Sequence, residues 1–360
     1  MPGAAGDRRM GYRTGEDDFT VCEKHLDRVS RTFAVNIRVL RGDAYRSMLL
    51  AYLLFRIADT IEDEPSLEAA AKIDYLAAYE NLFPPGRDWR DKVDRFTASL
   101  AVRGNGAESE LLFDTPRVFR EFVKLPAEYI SIISERVRET ARGMASFQRK
   151  ADGSGTVVLE DRRELERYCY YVAGTVGLMI TSLFFGGSNA GRCVPENIYE
   201  RLRARSVSFG LGLQMTNIVK DFQGDRERGW CYVPRSFFLD EGIDPRAGLR
   251  EDSRAAEAVL NRLVDMALEY LDEAIEYVQT IPRRFVRYRL FCLWPLLMAV
   301  ETLALVRRNR DQILQGTTVK IGRNDVRRII MTSTCAVFSN HLVRWLYNGA
   351  RRKADNAISK

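Results

Sequence analysis

Two aspartate pairs share one spacing, Asp59 with Asp63 and Asp221 with Asp225, and each interrupts a stretch that is otherwise apolar. At about 100° per residue, positions four apart lie on one helix face, so each pair aims both carboxylates the same way. Like charges so placed cost an isolated helix roughly 0.2–0.5 kcal/mol. A chain that carries the arrangement twice needs cations to offset it. Oxygen ligands of this kind suit Mg²⁺, which keeps several waters and binds one or two carboxylates together with a substrate's phosphates. The expectation is a magnesium–diphosphate site between two helices, with Asp59, Asp63, Asp221 and Asp225 as ligands.

The neighbouring residues extend each pair into a stripe. Tyr52, Arg56, Asp59 and Asp63 stand at offsets of 0, 4, 7 and 11 and fall within a narrow arc, while Leu53, Leu54, Ile57 and Ile61 lie largely outside it. Gln214, Asn217, Asp221 and Asp225 stand at offsets of 0, 3, 7 and 11. A polar stripe on an apolar helix implies an interior partner, because buried polar groups are costly unless paired. The plain alternative is two solvated faces with ordinary salt bridges, and repetition of the whole stripe argues against it. Lys220 and Arg228 flank the second pair, either completing a cationic clamp or serving as surface charges.

Helical periodicity must position these stripes, and it runs through nearly the whole chain. Periodic stretches cover about 19–40, 44–64, 67–82, 88–102, 116–150, 160–185, 196–223, 254–280, 284–309 and 324–350. Breaks fall at Pro84-Pro85-Gly86, Gly104 to Gly106, Asp152 to Gly155, Gly186-Gly187 and Gly242 to Gly248. Alternating strand patterns with hairpin turns are missing. The fold class is therefore all-α, a single helical bundle with a central cavity, since bundles build their sites from facing helices. Gly174 and Gly177 each cost a helix about 1 kcal/mol relative to alanine. They imply close approach, of another helix or of a ligand.

Composition narrows the class further. With 360 residues, 46% of them hydrophobic, the chain can bury a large core. No linker divides it, so we expect a loose tail over 1–16, one domain over 17–350 and a basic tail over 351–360. No secretory h-region is present. The longest apolar candidate for a membrane span, Phe291 to Val306, is interrupted by Pro295 and Glu301. A cytoplasmic protein, or one peripheral to a membrane, is expected. Six cysteines without CxxC spacing read as free or buried thiols, and two distant histidines, His25 and His341, argue against zinc. The net charge of +6 is spread among acids and matches no nucleic-acid module. A basic C-terminal face (Arg327, Arg328, Arg344, Arg351, Arg352, Lys353) accompanies an apolar run from Ile329 to Tyr347. It could lie on an anionic membrane or be a core helix with a solvated edge, and both readings stand.

Five blocks, in order, carry a family resemblance: Ser30-Arg31-Thr32-Phe33, Tyr52 to Asp63, Tyr168 to Gly177, Gly210 to Asp221, and Phe291-Cys292-Leu293-Trp294-Pro295. Together the chain resembles the squalene and phytoene synthase family over about residues 28–330, and its squalene synthase branch most. The resemblance implies the class I isoprenoid synthase fold. It also implies that Tyr168 is the catalytic base, that Arg31 and Arg56 bind diphosphate, and that Phe33, Val172, Ala173, Val176 and Gly177 line an isoprenoid cavity. Ser30, Tyr52, Gln214, Asn217, Lys220, Arg228 and Phe291 join the substrate-binding set. An arginine fork suits phosphate oxygens better than a mobile point charge does.

The implied chemistry is head-to-head condensation of two farnesyl diphosphate molecules, through presqualene diphosphate, to squalene. Mg²⁺ and cationic side chains stabilise the departing diphosphate, and a dry apolar cavity protects the carbocation. NADPH supplies a hydride in the squalene branch. No GxGxxG fingerprint is present; instead Val319-Lys320-Ile321-Gly322-Arg323 stands where squalene synthases carry a basic flap, commonly VKIRKG. Lys320 and Arg323 are the expected holders of the cofactor's phosphates. Gly322 stands in place of a usual arginine, Leu296 in place of a usual glutamine, and Gly224 in place of a frequent acid. The alternatives are a relative ending at dehydrosqualene, hydroxysqualene, phytoene or presqualene diphosphate, and an inactive helical membrane-surface protein that kept the fold.

Overall fold

The computed structural model describes residues 15–30, 33–102, 104, 106–151, 157–186, 194–227, 230–244 and 253–357, with the backbone alone for 222–227, 230, 231 and 253. Arg31 and Arg228 lie outside the described residues. In chain order the first half contains α1 (Asp18–Val29), α2 (Phe33–Arg38), α3 (Gly42–Asp63), α4 (Ala69–Glu80), α5 (Trp89–Ser99), α6 (Ala107–Phe113), α7 (Thr115–Phe122) and α8 (Ala127–Gln148). After β1 (Val157–Val158) come α9 (Arg162–Cys169), a π-helical turn (Tyr170–Gly174), α10 (Thr175–Phe185) and α11 (Glu196–Glu227). β2 (Trp230–Cys231), α12 (Arg235–Asp240), α13 (Ser253–Thr280), α14 (Val286–Arg308), α15 (Arg310–Leu314), α16 (Arg323–Ala336) and α17 (Asn340–Asp355) complete the chain.

The bundle has two centres. Around α3 pack α1, α4, α6, α7 and α8; Leu49, Leu50, Leu53, Leu54, Ile57 and Ile61 of α3 are fully buried. The second centre is α11 against α13 and α14, with α16 and α17 packed on α14 and α17 also touching α13. The π-turn and α10 touch both α8 and α11 and so join the two halves. Burial of apolar area, worth roughly 25 cal/mol per Å², is the force that holds such helices together.

Several expected boundaries move. The stretch 19–40 divides around Ser30, 116–150 divides at Pro126, and 324–350 divides at Val337 to Ser339. Pro126 cannot continue a helix inward, but it serves as the residue preceding α8. The loop expected after residue 102 contains α6. Two short strands, absent from the expectation, pair in parallel, Val157 with Trp230 and Val158 with Cys231. α17 runs to Asp355, so part of the expected basic tail is helix.

Pro295 does not interrupt α14, which is continuous from Val286 to Arg308. This helix and the stretch Arg162–Phe185 are long and apolar enough to cross a membrane, yet their most apolar windows are 89% and 61% buried within the bundle. Packing against neighbouring helices accounts for their composition. Cys22, Cys169 and Cys292 are buried free thiols, and His25 is a core residue bonded to Asp114 at 2.8 Å.

Candidate active site

The first stripe is the half-open side of a buried helix. Tyr52, Arg56, Asp59 and Asp63 keep partial solvent contact while their flanking residues on α3 are sealed. Asp63 is the last residue of α3, and no basic residue occupies that last turn. The negative end of the helix dipole therefore coincides with both carboxylates, which strengthens the demand for a cation. Arg56 answers in part: it lies 3.8 Å from Asp59 and donates to the Tyr52 hydroxyl at 3.3 Å. Burial pushes Asp59 up to about 6, opposed by Arg56 and reinforced by Asp63. On α4, buried Lys72 faces Asp63, Glu62 and Glu64, with burial lowering its own affinity for a proton.

A group of this kind fits Mg²⁺: two oxygen donors, one helical turn apart, raised in energy by each other and by the helix end. A proton and the metal compete for Asp59, so apparent Mg²⁺ affinity should weaken as pH falls through about 6. Titration calorimetry at pH 5.5 and 7.5, a spacing of about two units around that value, checks this. Equal affinities at the two pH values would remove Asp59 from the ligand set.

The second stripe lies on α11. Gln214, Lys220 and Asp221 are half-buried and Asn217 is exposed, while Met215, Ile218 and Val219 between them are buried. Lys220 pairs with Asp221 at 3.0 Å. Asp225 follows one turn later on the same helix, its side chain outside the described residues. The last turns of α3 and α11 thus both carry aspartates.

Tyr168 lies at the end of α9 and is 3% exposed. Its hydroxyl donates to Glu62 Oε2 at 3.2 Å and shares a 2.8 Å hydrogen bond with the Tyr232 hydroxyl. Glu62 belongs to the first aspartate helix, and Tyr232 follows the second. The β1–β2 bridge, with Arg235 and Ser236 amides bonded to Leu159 and Glu160, holds Tyr232 in place. The two phenol rings lie 4.8 Å apart, and Phe147 meets Tyr168 edge-on at 5.3 Å. Burial raises Tyr168 well above the usual phenol range, and the nearby Glu62 adds to the shift. Glu62 is itself raised well above the carboxylate range by burial, with Asp63 and Asp59 contributing. Its Oε1 is buried without a hydrogen bond.

The apolar side of the site is aromatic. Phe33 stacks on Tyr52 at 5.6 Å and meets Phe291 edge-on at 5.7 Å, and Phe291 continues to Phe184. Val172 and Ala173 in the π-turn, and Val176 just after it, are half-buried. π-turns within α-helices concentrate at functional sites, and this one begins two residues after Tyr168. Gly177 is a helix contact: a Cβ there would stand 2.0 Å from the Ser206 carbonyl oxygen. Gly210 reciprocates, 2.1 Å from the Ala173 oxygen by the same construction. Ser30 uses its hydroxyl to accept from the Ala34 amide at 3.1 Å, starting α2. Lys320 and Arg323 are exposed at the entry to α16, and Val319 and Ile321, on either side of Lys320, pack on the core.

Glu62, Tyr232 and Lys72 were missed as site residues. Glu62 falls outside the arc shared by Asp59 and Asp63, and no spacing relates Tyr232 to Tyr168. Only a tertiary contact reveals them.

The family model described as Squalene/phytoene synthase matches residues 26–325. The squalene synthase of Rattus norvegicus is 28% identical over 333 residues, covering 91% of this chain and 72% of that protein. The squalene synthase of Homo sapiens is 28% identical over 340 residues, covering 91% of this chain and 74% of that protein. A solved structure of TcSQS with a bound ligand superposes with a TM-score of 0.74 at 26% identity, covering 94% of this chain and 99% of that one. With its helical fold and the match over most of its length, the chain belongs to the squalene/phytoene synthase family and is a prenyltransferase of the squalene synthase type.

Proposed function

We propose that this chain condenses two molecules of farnesyl diphosphate to presqualene diphosphate and then reduces that intermediate to squalene with NADPH. One observation carries the reading: the buried Tyr168 hydroxyl is bonded at once to Glu62, between the first pair of aspartates, and to Tyr232, just beyond the second pair. A proton-handling group thus lies between two diphosphate-holding helices.

Asp59, Asp63, Asp221 and Asp225 would hold Mg²⁺, which neutralises charge on a departing diphosphate. Arg56 and Lys220 stand beside them and can take the outer phosphate oxygens. Phe33, Phe291, Val172 and Val176 supply the apolar wall that keeps water from an allylic cation. Tyr168, being neutral, can accept a proton at its oxygen only while passing its own to an ionised Glu62, with Tyr232 holding the hydroxyl in place. Residues 17–350 act in this scheme as one catalytic unit, working in the cytoplasm.

NADPH supplies a hydride when bound, and Lys320 and Arg323 are the cations at hand for its phosphates. Changing both to alanine should raise the apparent cofactor KM and lower squalene output, while consumption of farnesyl diphosphate persists. Presqualene diphosphate should accumulate in its place. Unchanged squalene yield at limiting NADPH would remove the flap from the scheme. The direct test of the whole reading is product analysis of purified protein with farnesyl diphosphate, with and without NADPH. Squalene formed only with NADPH is expected. Identical products in both cases would instead favour a non-reductive ending, at dehydrosqualene, hydroxysqualene or phytoene.

A further inference from the structure

The last two helices leave an outward face that the bundle does not use. Met331, Phe338, Leu342 and Trp345 are 69%, 60%, 49% and 65% exposed, and most of the large exposed hydrophobics among the described residues are these four. The opposite faces are committed: Ile329, Ser333 and Ala336 of α16, and Val343, Tyr347, Ala350 and Ala354 of α17, are buried, and both helices pack on α14. On α16, Arg327, Met331 and Thr334 fall within an arc of about 60°, and Phe338 continues the line beyond the helix end. On α17, His341, Trp345, Asn348 and Arg352 form a matching stripe, with Leu342 beside it. Each stripe has apolar residues at its centre and an arginine at its outer end.

Charge points to the partner. Residues 320–357 hold eight Lys and Arg against two Asp, an excess of six, which equals that of the whole chain with its 55 Lys and Arg against 49 Asp and Glu. The rest of the molecule is electrically balanced. Some of these cations are spent on the protein: Arg344 on Glu276, Arg351 on Asp272 and Asp355, Arg328 on Glu301 and Asp325, Lys353 on Glu301. Arg327 and Arg352, at the ends of the stripes, are exposed and make no ion pair among the described residues.

We propose that the outer face of α16 and α17 docks on an anionic lipid bilayer. Met331, Phe338, Leu342 and Trp345 would enter the boundary between headgroups and acyl chains, and Arg327 and Arg352 would meet the lipid phosphates. Indole rings favour that boundary, having an apolar body and a polar edge. An apolar centre with a cationic rim is the pattern of helices that lie in the membrane plane. A second copy of the chain would bring the same positive face and be repelled. A nucleic acid would pair with the arginines but leave the four large apolar side chains in water.

Co-sedimentation of the full chain with vesicles tests this, using phosphatidylcholine alone and phosphatidylcholine with one third phosphatidylglycerol. The expected result is strong binding to the anionic vesicles, weak binding to the neutral ones, and a blue shift of tryptophan emission on binding. Trp345→Ser with Leu342→Ser should weaken anionic-vesicle binding at least tenfold, as should Arg327→Glu with Arg352→Glu. Both variants should keep wild-type circular dichroism and wild-type turnover of substrate presented in detergent. Binding unaffected by either double substitution would overturn the assignment, as would equal binding to both vesicle types. So would a concentration-dependent dimer abolished by Trp345→Ser, or duplex DNA competing the chain off the anionic vesicles at matched phosphate.

Discussion

Asp59→Asn is expected to lower diphosphate release by about 10²–10³-fold at saturating Mg²⁺, the loss usual for one pre-aimed group that stabilises developing charge. Asp221→Asn should do the same from the opposite helix. The folded protein should not suffer. Asp59 is raised from 3.8 to about 6 in the native state, so its ionised form opposes folding. The sign follows from linkage: a carboxyl raised on folding lets stability fall as pH climbs through the interval between those values. Above pH 6, in metal-free buffer, the asparagine variant should therefore melt at or above the wild-type temperature, and near pH 4 the two should converge. Calorimetry in chelator, beside a diphosphate-release assay, reads both halves. Near-normal turnover, or a clear drop in melting temperature, would count against Asp59 as a metal ligand held under repulsion.

Tyr168→Phe should reduce formation of presqualene diphosphate by about 10²–10⁴-fold, the usual contribution of a positioned acid or base. The ring remains to pack on Phe147, so the fold should persist. Tyr170→Phe provides the contrast. Its hydroxyl donates to Glu139 at 2.6 Å on the half-exposed side of the π-turn, and losing that bond should cost about 1 kcal/mol of stability with little change in rate. Tyr232→Phe should fall between them, because it removes the 2.8 Å hydrogen bond to Tyr168 and keeps the one from Tyr168 to Glu62. Rapid-quench analysis of the first half-reaction separates the three. Equal losses at Tyr168 and Tyr170 would mean that the proton acceptor lies elsewhere.

Most of the scaffold was legible because helical periodicity and the polar stripes obey short-range geometry. Tyr52, Arg56, Asp59 and Asp63 share the half-open face of α3 as their spacing requires, and Gln214, Asn217 and Asp221 do so on α11. The boundaries were less legible. Phe338 sits between two helices that periodicity alone would fuse, and the break at Pro126 falls inside an unbroken amphipathic pattern. Least legible were contacts between distant segments. Glu62 reads as filler between two aspartates until Tyr168 is placed 3.2 Å away, and Tyr232 depends on a two-residue parallel bridge that leaves no periodic trace. Gly174 and Gly177 announced a close approach without saying to what, and for Gly177 the answer is the backbone of α11.

That approach sets a hard stop on how the site can be remodelled. Gly177 against Ser206 and Gly210 against Ala173 leave no room for even one carbon atom between the two backbones. The gap that separates the tyrosine-bearing segment from the second aspartate helix is consequently gauged by atoms that are absent. Under the proposed function, the hydrocarbon accepted can be lengthened or shortened through Val172, Val176 or Phe291, whose bulk is adjustable in small steps. At the two glycines the smallest increment available to the genetic code, a single methyl group, already collides with the facing backbone, so something on the segment that bears Tyr168 or on α11 must shift.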